Sequence, residues 1–306
     1  MWHSYINGNY KVHINNATGT KIRSNDLDFF SPEFPESFDL KITNQCDIGC
    51  VMCHEDSKPD GQHGDIMNLP FLDSIHPYTE VAIGGGNPLS HPDLIPFLKV
   101  LKERNIFANM TVNKVHFMDN LPLLHSLVKQ RLIYGLGVSY TPGAVQEFIT
   151  EIKKFDNSVI HIINGMISPE QYQELSGYDL TILILGYKDV RRGLENRILH
   201  GTSIERNQAA LRDALKSSIR TEAFRAISFD NLALKQLDVK SMITDEEWAE
   251  FYMGDDGQDG QFTSASMFID AVNGEFARNS CCRERHRITN DITEMFRILV
   301  SEERGM

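Results

Sequence analysis

The chain is short of basic residues, of cysteine and of long apolar runs, and each shortage narrows what it does. Lysine and arginine number 30 against 42 aspartates and glutamates, a formal net charge of -12. A surface of that sign repels polyphosphate, so nucleic acid is a poor partner. The longest strongly apolar runs, such as Leu180 to Leu185, fall far short of the ~20 residues that a membrane-crossing helix needs. The first residues, Met1-Trp2-His3-Ser4-Tyr5, lack the basic and apolar regions of a secretory signal. No low-complexity tract or obvious internal repeat interrupts the chain. Of only five cysteines, three crowd into Cys46 to Cys53. That is poor disulfide arithmetic and good metal arithmetic, and it makes the cytoplasm the expected compartment.

What is present supports a sizeable core: 306 residues, 41% of them hydrophobic, enough for one large domain with appendages. Tyr5-Ile6 and Tyr10 to Ile14 flank Asn7-Gly8, a dipeptide suited to a type I′ hairpin turn. With Thr20-Lys21-Ile22 they read as a small β meander, and the proline-containing stretch Ser31 to Pro35 as a connector. From Phe38 a strand–helix rhythm begins. The expected strands are Phe38–Thr43, Glu80–Ile83, Phe107–Val112, Tyr134–Ser139, Val159–Ile163 and Leu180–Leu185. Between them, Leu94, Phe97, Leu98 and Leu101 recur at helical spacing, as do Val145, Phe148, Ile149 and Ile152. Ser168-Pro169-Glu170-Gln171 has the form of a capping box. Six alternations predict a parallel sheet, hence an α/β fold with a partial (β/α)6 TIM-like barrel. The expected division is an N-terminal β meander and linker over 1–36, the barrel over 37–220, and an α+β extension over 221–306 that closes the barrel and shapes a pocket. In that extension, helices are expected over Ser203–Ser218 and Thr244–Met253, a hairpin around Asn273-Gly274, and a final amphipathic helix through Ile292, Met295, Phe296, Leu299 and Val300. The acid-rich run Gly254 to Gly260 lacks the ligand spacing of an EF-hand.

Active sites of such barrels lie at the C-terminal strand ends, and the decisive sequence follows the first strand. It reads Asn44-Gln45-Cys46-Asp47-Ile48-Gly49-Cys50-Val51-Met52-Cys53-His54, a C-x-x-x-C-x-x-C run. Three thiolates from one loop can hold three irons of a cubane and leave the fourth open to a ligand. The same residues with His54 also compose a Cys3His zinc site, though tight spacing and barrel context favour the cluster and leave His54 as a surface loop residue. The run resembles the hallmark of the radical S-adenosylmethionine (SAM) superfamily. After the second strand, Gly84-Gly85-Gly86-Asn87-Pro88 looks like that family's G-G-E-P motif, with Asn87 in place of the usual acid. An amide there accepts a hydrogen bond but offers no charge to an ammonium.

The resemblance spans roughly Phe38 to Gly193 and implies a [4Fe-4S] cluster on Cys46, Cys50 and Cys53. It implies SAM contacts from Met52, Gly85, Gly86, Asn87, Pro88, Asn113, Ser139, Asn164, Gly186 and Tyr187. The implied reaction is reductive cleavage of SAM to a 5′-deoxyadenosyl radical, which abstracts hydrogen from a substrate while the protein orients the reactants. A peptide or protein side chain is the expected substrate, and flavodoxin or ferredoxin the expected electron donor. Activation of a glycyl-radical enzyme, a small-metabolite reaction and a non-catalytic zinc or iron–sulfur module are the alternatives. The basic stretch Gly186 to Gly193 is expected to be a solvated loop. Cys281-Cys282 supplies too few thiolates for a second cluster, and Asp230 and Asp270 are candidates for the pocket wall.

Overall fold

The computed structural model describes residues 1–15, 17–27, 29–252 and 264–304. Strands β1 (Trp2–Asn7), β2 (Tyr10–Asn15) and β3 (Lys21–Ser24) form an antiparallel sheet in that order. The hairpin's central residues are Gly8 and Asn9, and of the two only Gly8 has a positive φ, of 58°. A type I′ turn needs positive φ at both positions, so the expected turn type is replaced by one that leans on glycine alone. Tyr5, Tyr10, Val12 and Ile14 of this sheet pack on Phe107, with Tyr78 and Tyr134 beside them. Those three aromatics sit where barrel strands begin, so the small sheet closes the N-terminal end of the barrel.

The six expected barrel strands are all present: β4 (Ser37–Thr43), β5 (Glu80–Gly85), β6 (Phe107–Asn113), β7 (Gly135–Ser139), β8 (Ser158–Ile163) and β9 (Thr181–Leu185). Each pairs parallel with the next. The sheet is larger than six strands. β10 (Ala226–Phe229) adds parallel to β9, and β11 (Ser266–Asp270) adds parallel to β4 at the opposite edge. β12 (Glu275–Ala277) and β13 (His286–Arg287) continue beyond β11 as antiparallel strands, β11 and β12 being the expected hairpin. The order is β10-β9-β8-β7-β6-β5-β4-β11-β12-β13, with no pairing between its two ends among the described residues.

Helices α1 (Leu94–Glu103), α2 (Lys114–Asp119), α3 (Leu121–Lys129), α4 (Val145–Ile152) and α5 (Pro169–Leu175) alternate with the strands. α6 (Arg192–Ser218) is longer than expected and bends at His200, whose φ/ψ of -129° and 19° is not helical. α7 (Asn231–Leu237), α8 (Asp245–Phe251) and α9 (Ile292–Arg304) complete the set. The capping boxes at Ser168/Gln171 and Thr244/Glu247 are both formed, each satisfying two backbone donors that a helix start leaves orphaned. No described helix is long and apolar enough to cross a membrane. The acid-rich run from Gly254 to Gly260 lies outside the described residues.

Strand alternation sorts the barrel into two faces. Phe38, Leu40 and Ile42 of β4, with Val81, Met110, Val138, Ile160 and Ile182, point outward into the core beneath the helices. The intervening positions face a central cavity of ≈ 810 Å³. They carry Asp39 and Lys41, Gly84, Thr111, Gly137 and His161. Apolar residues, Val159, Ile163, Leu183 and Leu185 among them, complete the lining, and the space between is a cavity rather than a packed core.

Candidate active site

The cysteine loop leaves β4 and folds back along it. Cys46 N donates to Lys58 O (2.8 Å), Lys58 N to Asn44 O (3.0 Å) and Asn44 N to Gln62 O (2.8 Å). At its root, Thr43 Oγ1 lies 2.8 Å from His63 Nδ1 and accepts from Gln45 N. The end of β5 presses against the same root: Gly86 N donates to Thr43 O and Asn87 N to Gln45 O. A Cβ on Gly85 would stand 2.4 Å from Thr43 O, and one on Gly86 would stand 2.2 Å from Gln45 O. The glycine run thus has a structural task of its own, admitting the loop's backbone where any side chain would push it away.

Cys46, Cys50 and Cys53 are half-buried, carry no disulfide and all line the cavity. Burial pushes the Cys46 and Cys50 thiols up, and neighbouring Cys53 adds to this. Ligation of a metal is the route by which such thiols are held as thiolates. The sulfurs' spacing bears on which metal fits. Among the described residues, the one trio of ligand atoms that all lie within 4.8 Å of one another is Cys46, Asp47 and His116, not the three cysteines. A tetrahedral zinc, with ~2.3 Å bonds, needs its sulfurs closer together than that. A cubane takes one thiolate on each of three irons and does not require that closeness. Asp47 and His116 are joined directly, Nε2 to Oδ1 at 2.7 Å, which holds the Asp47 carboxyl low.

Beneath the loop lies a network of buried charge that sequence reading missed. Lys41, 2% exposed, is bracketed by Glu55 (2.8 Å) and Asp270 (3.2 Å). Glu55 is shared further with His54 (3.2 Å) and Arg191 (3.4 Å). Burial works against the Glu55 carboxylate, but His54 and Lys41 outweigh it and keep it far below the usual range. His54 is half-buried and faces the cavity rather than standing on the surface. Burial, then Lys188, lower its pKa. The basic stretch is likewise no solvated loop. Lys188 Nζ donates to Ser280 Oγ (2.9 Å), Arg191 to His54 O (2.8 Å) and Arg192 to Ser57 O (2.5 Å). Its charges brace the cysteine loop instead of meeting water. The available signal was the charge of Asp39 and Lys41 inside an otherwise apolar strand.

The other expected cofactor positions divide into two groups. Met52, Gly85, Gly86, Asn113, Ser139, Gly186 and Tyr187 line the cavity together with the cysteines. Asn87, Pro88 and Asn164 do not. Asn87 caps the turn after β5, accepting from Leu89 N (3.1 Å). Asn164 is fully buried and donates to Gln236 Oε1 (3.0 Å), its own Oδ1 finding no partner. Within the first group, Asn113 caps α2 through Val115 N. Tyr187 is 1% exposed, its hydroxyl donating to Gly193 O and accepting from Asn196. Asp230 reaches the wall but also caps α7 and accepts from Gly186 N. Asp270 is committed to Lys41 and to the turn at Val272 and Asn273. Cys281 and Cys282 are half-buried, and neither belongs to a group of metal-ligand atoms among the described residues.

Known proteins resemble this arrangement. The fold matches Streptococcus suis SuiB bound to S-adenosylmethionine with a TM-score of 0.63, at 12% identity, over 96% of this chain and 86% of SuiB. SuiB bound to its precursor peptide SuiA gives 0.60 at 14% identity, over 96% and 87%. Native anSMEcpe with bound AdoMet and Cp18Cys peptide gives 0.50 at 11%, over 88% and 80%. In sequence, a probable GTP 3′,8-cyclase of Methanococcus vannielii is 22% identical over 171 residues, which are 54% of this chain and 46% of the relative. The match thus spans about half the length of that curated relative. No protein-family model matches the chain. The fold is the one these solved structures share, a partial TIM-like barrel.

Proposed function

We propose that the chain is a radical SAM enzyme acting on a peptide or protein side chain. One observation carries the reading: three cysteines without a disulfide, on a single loop, open onto one cavity at the C-terminal end of the barrel. Cys46, Cys50 and Cys53 would hold the cluster. The cavity wall that includes Met52, Gly85, Gly86, Asn113 and Ser139 would receive SAM. When bound, the [4Fe-4S] cluster and SAM together supply a 5′-deoxyadenosyl radical that abstracts a hydrogen atom.

The chain's own residues orient and enclose. The Lys41–Glu55–Asp270 network fixes the cysteine loop from below, and Lys188, Arg191 and Arg192 brace it from the side. Phe268 and Ser280 of the C-terminal segment join the wall and would exclude the water that misdirects radical chemistry. A peptide substrate is favoured because the fold matches two proteins solved with peptides bound. The test is anaerobic reconstitution with iron, sulfide, SAM and dithionite, followed by mass analysis for 5′-deoxyadenosine. Turnover to that product, lost in each cysteine-to-alanine variant, supports the reading. Retained turnover in all three variants overturns it.

A further inference from the structure

The cavity floor holds a polar group that none of the SAM assignments uses. Asp39 sits midway along β4, where its register neighbours are Ala82 of β5 and Phe268 of β11, so no side chain beside it in the sheet can pair with it. It lines the cavity. Its side chain is exposed, and the barrel residues around it push its carboxyl up, against the pull of Lys188.

The buried charges nearby are answered. Lys41 has Glu55 and Asp270, and Glu36 has Lys21 and Arg23. Lys114 Nζ donates to Thr141 O and to Gly143 O. Asp39 has no hydrogen bond or ion pair among the described residues. Lys188, the cation whose field reaches it, is held by Ser280 Oγ and His54 Nε2 instead.

Higher on the same inner face, the floor is shaped deliberately. A Cβ on Gly137 would lie 2.6 Å from the His161 ring and 2.8 Å from Thr111 Oγ1. The missing side chain lets imidazole and hydroxyl meet over β7. The His161 ring also lacks a hydrogen-bond partner among the described residues, and burial holds its pKa down, to about 4, so it is neutral at physiological pH. A carboxylate open to the cavity and without a counterion of its own is available to make charge-assisted hydrogen bonds to a cation that enters.

Resting on the radical SAM reading, we propose that Asp39 is the substrate's anchor: the part of the substrate that enters the barrel carries a cationic group, an ammonium or guanidinium, received by the Asp39 carboxylate, with neutral Thr111 and His161 as further hydrogen-bonding partners. The assigned cluster and SAM positions lie at the strand ends, above this floor, so the two functions separate in space. Asp39 is here a specificity-determining residue for a basic side chain.

The test uses the anaerobically reconstituted holoprotein with SAM and four probes: butylammonium, butylguanidinium, butanol and butyrate. Binding is read by saturation-transfer NMR, and SAM binding is measured separately on the same samples. Both cations should bind saturably while butanol and butyrate do not. Asp39→Asn should weaken cation binding about tenfold or more, ~1.4 kcal/mol, and leave SAM binding unchanged, with Asp39→Glu recovering part of it. Equal response to butanol, or undiminished cation binding in Asp39→Asn, would overturn the inference. Cation binding that depends on Asp39 in a protein forming no 5′-deoxyadenosine would leave the anchor standing and defeat the radical SAM reading alone.

Discussion

The two ends of the barrel both saturate their buried charge, and they differ in what they leave open. At the N-terminal end, Glu36 is 1% exposed and saturated: it takes Arg23 Nε at 2.9 Å, Lys21 Nζ at 3.3 Å and the Tyr10 hydroxyl at 2.5 Å. Lys21 continues to Glu80 at 2.7 Å. Its residues tie the small antiparallel sheet to the first two barrel strands. At the C-terminal end, the Lys41–Glu55–Asp270 network ties a loop of three free thiols, and Asp39 just below it is left unanswered. Saturated charge marks architecture, and unsaturated groups facing a cavity mark the place where a ligand completes the structure. One fold thus carries a closed end and a working end, and both can be told apart by counting partners.

The sharpest break between the ends comes from the thiols. Cys50→Ala should abolish cluster assembly and 5′-deoxyadenosine formation while leaving the far-UV circular dichroism unchanged. Next is Lys41→Met, which strands two buried carboxylates. Removing one partner of a buried pair costs ~3–5 kcal/mol, read as a lower denaturant midpoint, and iron incorporation should fall with it because the cysteine loop loses its floor. Glu36→Gln sharpens the comparison from the other side. It should cost about 1–3 kcal/mol yet leave iron content and SAM cleavage per folded molecule unchanged.

The smallest effect is in pH. Glu36 ionises below the usual carboxylate range: burial opposes this, but Arg23, Lys21 and Tyr10 outweigh it. A depressed folded-state pKa gives stability that is present above the unfolded pKa and lost as pH falls through the folded one. Glu36→Gln should therefore flatten the acid limb of the stability curve below about pH 4.3, the ordinary glutamate value. His161 acts higher. Its folded pKa of about 4 lies below the ordinary histidine value of about 6.5, so the unfolded chain binds its proton first and stability declines as pH drops from 6.5 towards 4. His161→Asn should remove that slope, as followed by urea unfolding across the window.

Much of this was legible in residues because it was local. The apolar alternation of Phe38, Leu40 and Ile42 marked β4, and Ser168 to Gln171 spelled its own capping box. The cysteine spacing needed nothing but itself. What escaped was non-local. Nothing in Ala226 to Phe229 announces a parallel partner in β9, and Ser266 to Asp270 reads as a hairpin strand whether or not its far side meets β4. Arg191 and Arg192 looked like a solvated stretch because their partners His54, Glu55, Asp56 and Ser57 lie some 135 residues earlier in the chain. Asn164 and Tyr187 carried the right chemistry at strand ends, but fold contacts with Gln236 and Gly193 already occupy them.

The proposed function requires a cubane on the cysteine loop with one iron free of protein sulfur. Iron and acid-labile sulfide analysis of the anaerobically reconstituted chain, joined to Mössbauer spectra recorded with and without SAM, tests it most directly. About four irons and four sulfides per chain are expected, with one iron site whose spectrum alone changes when SAM is added. A single equivalent of zinc, or four iron sites that ignore SAM, would contradict it.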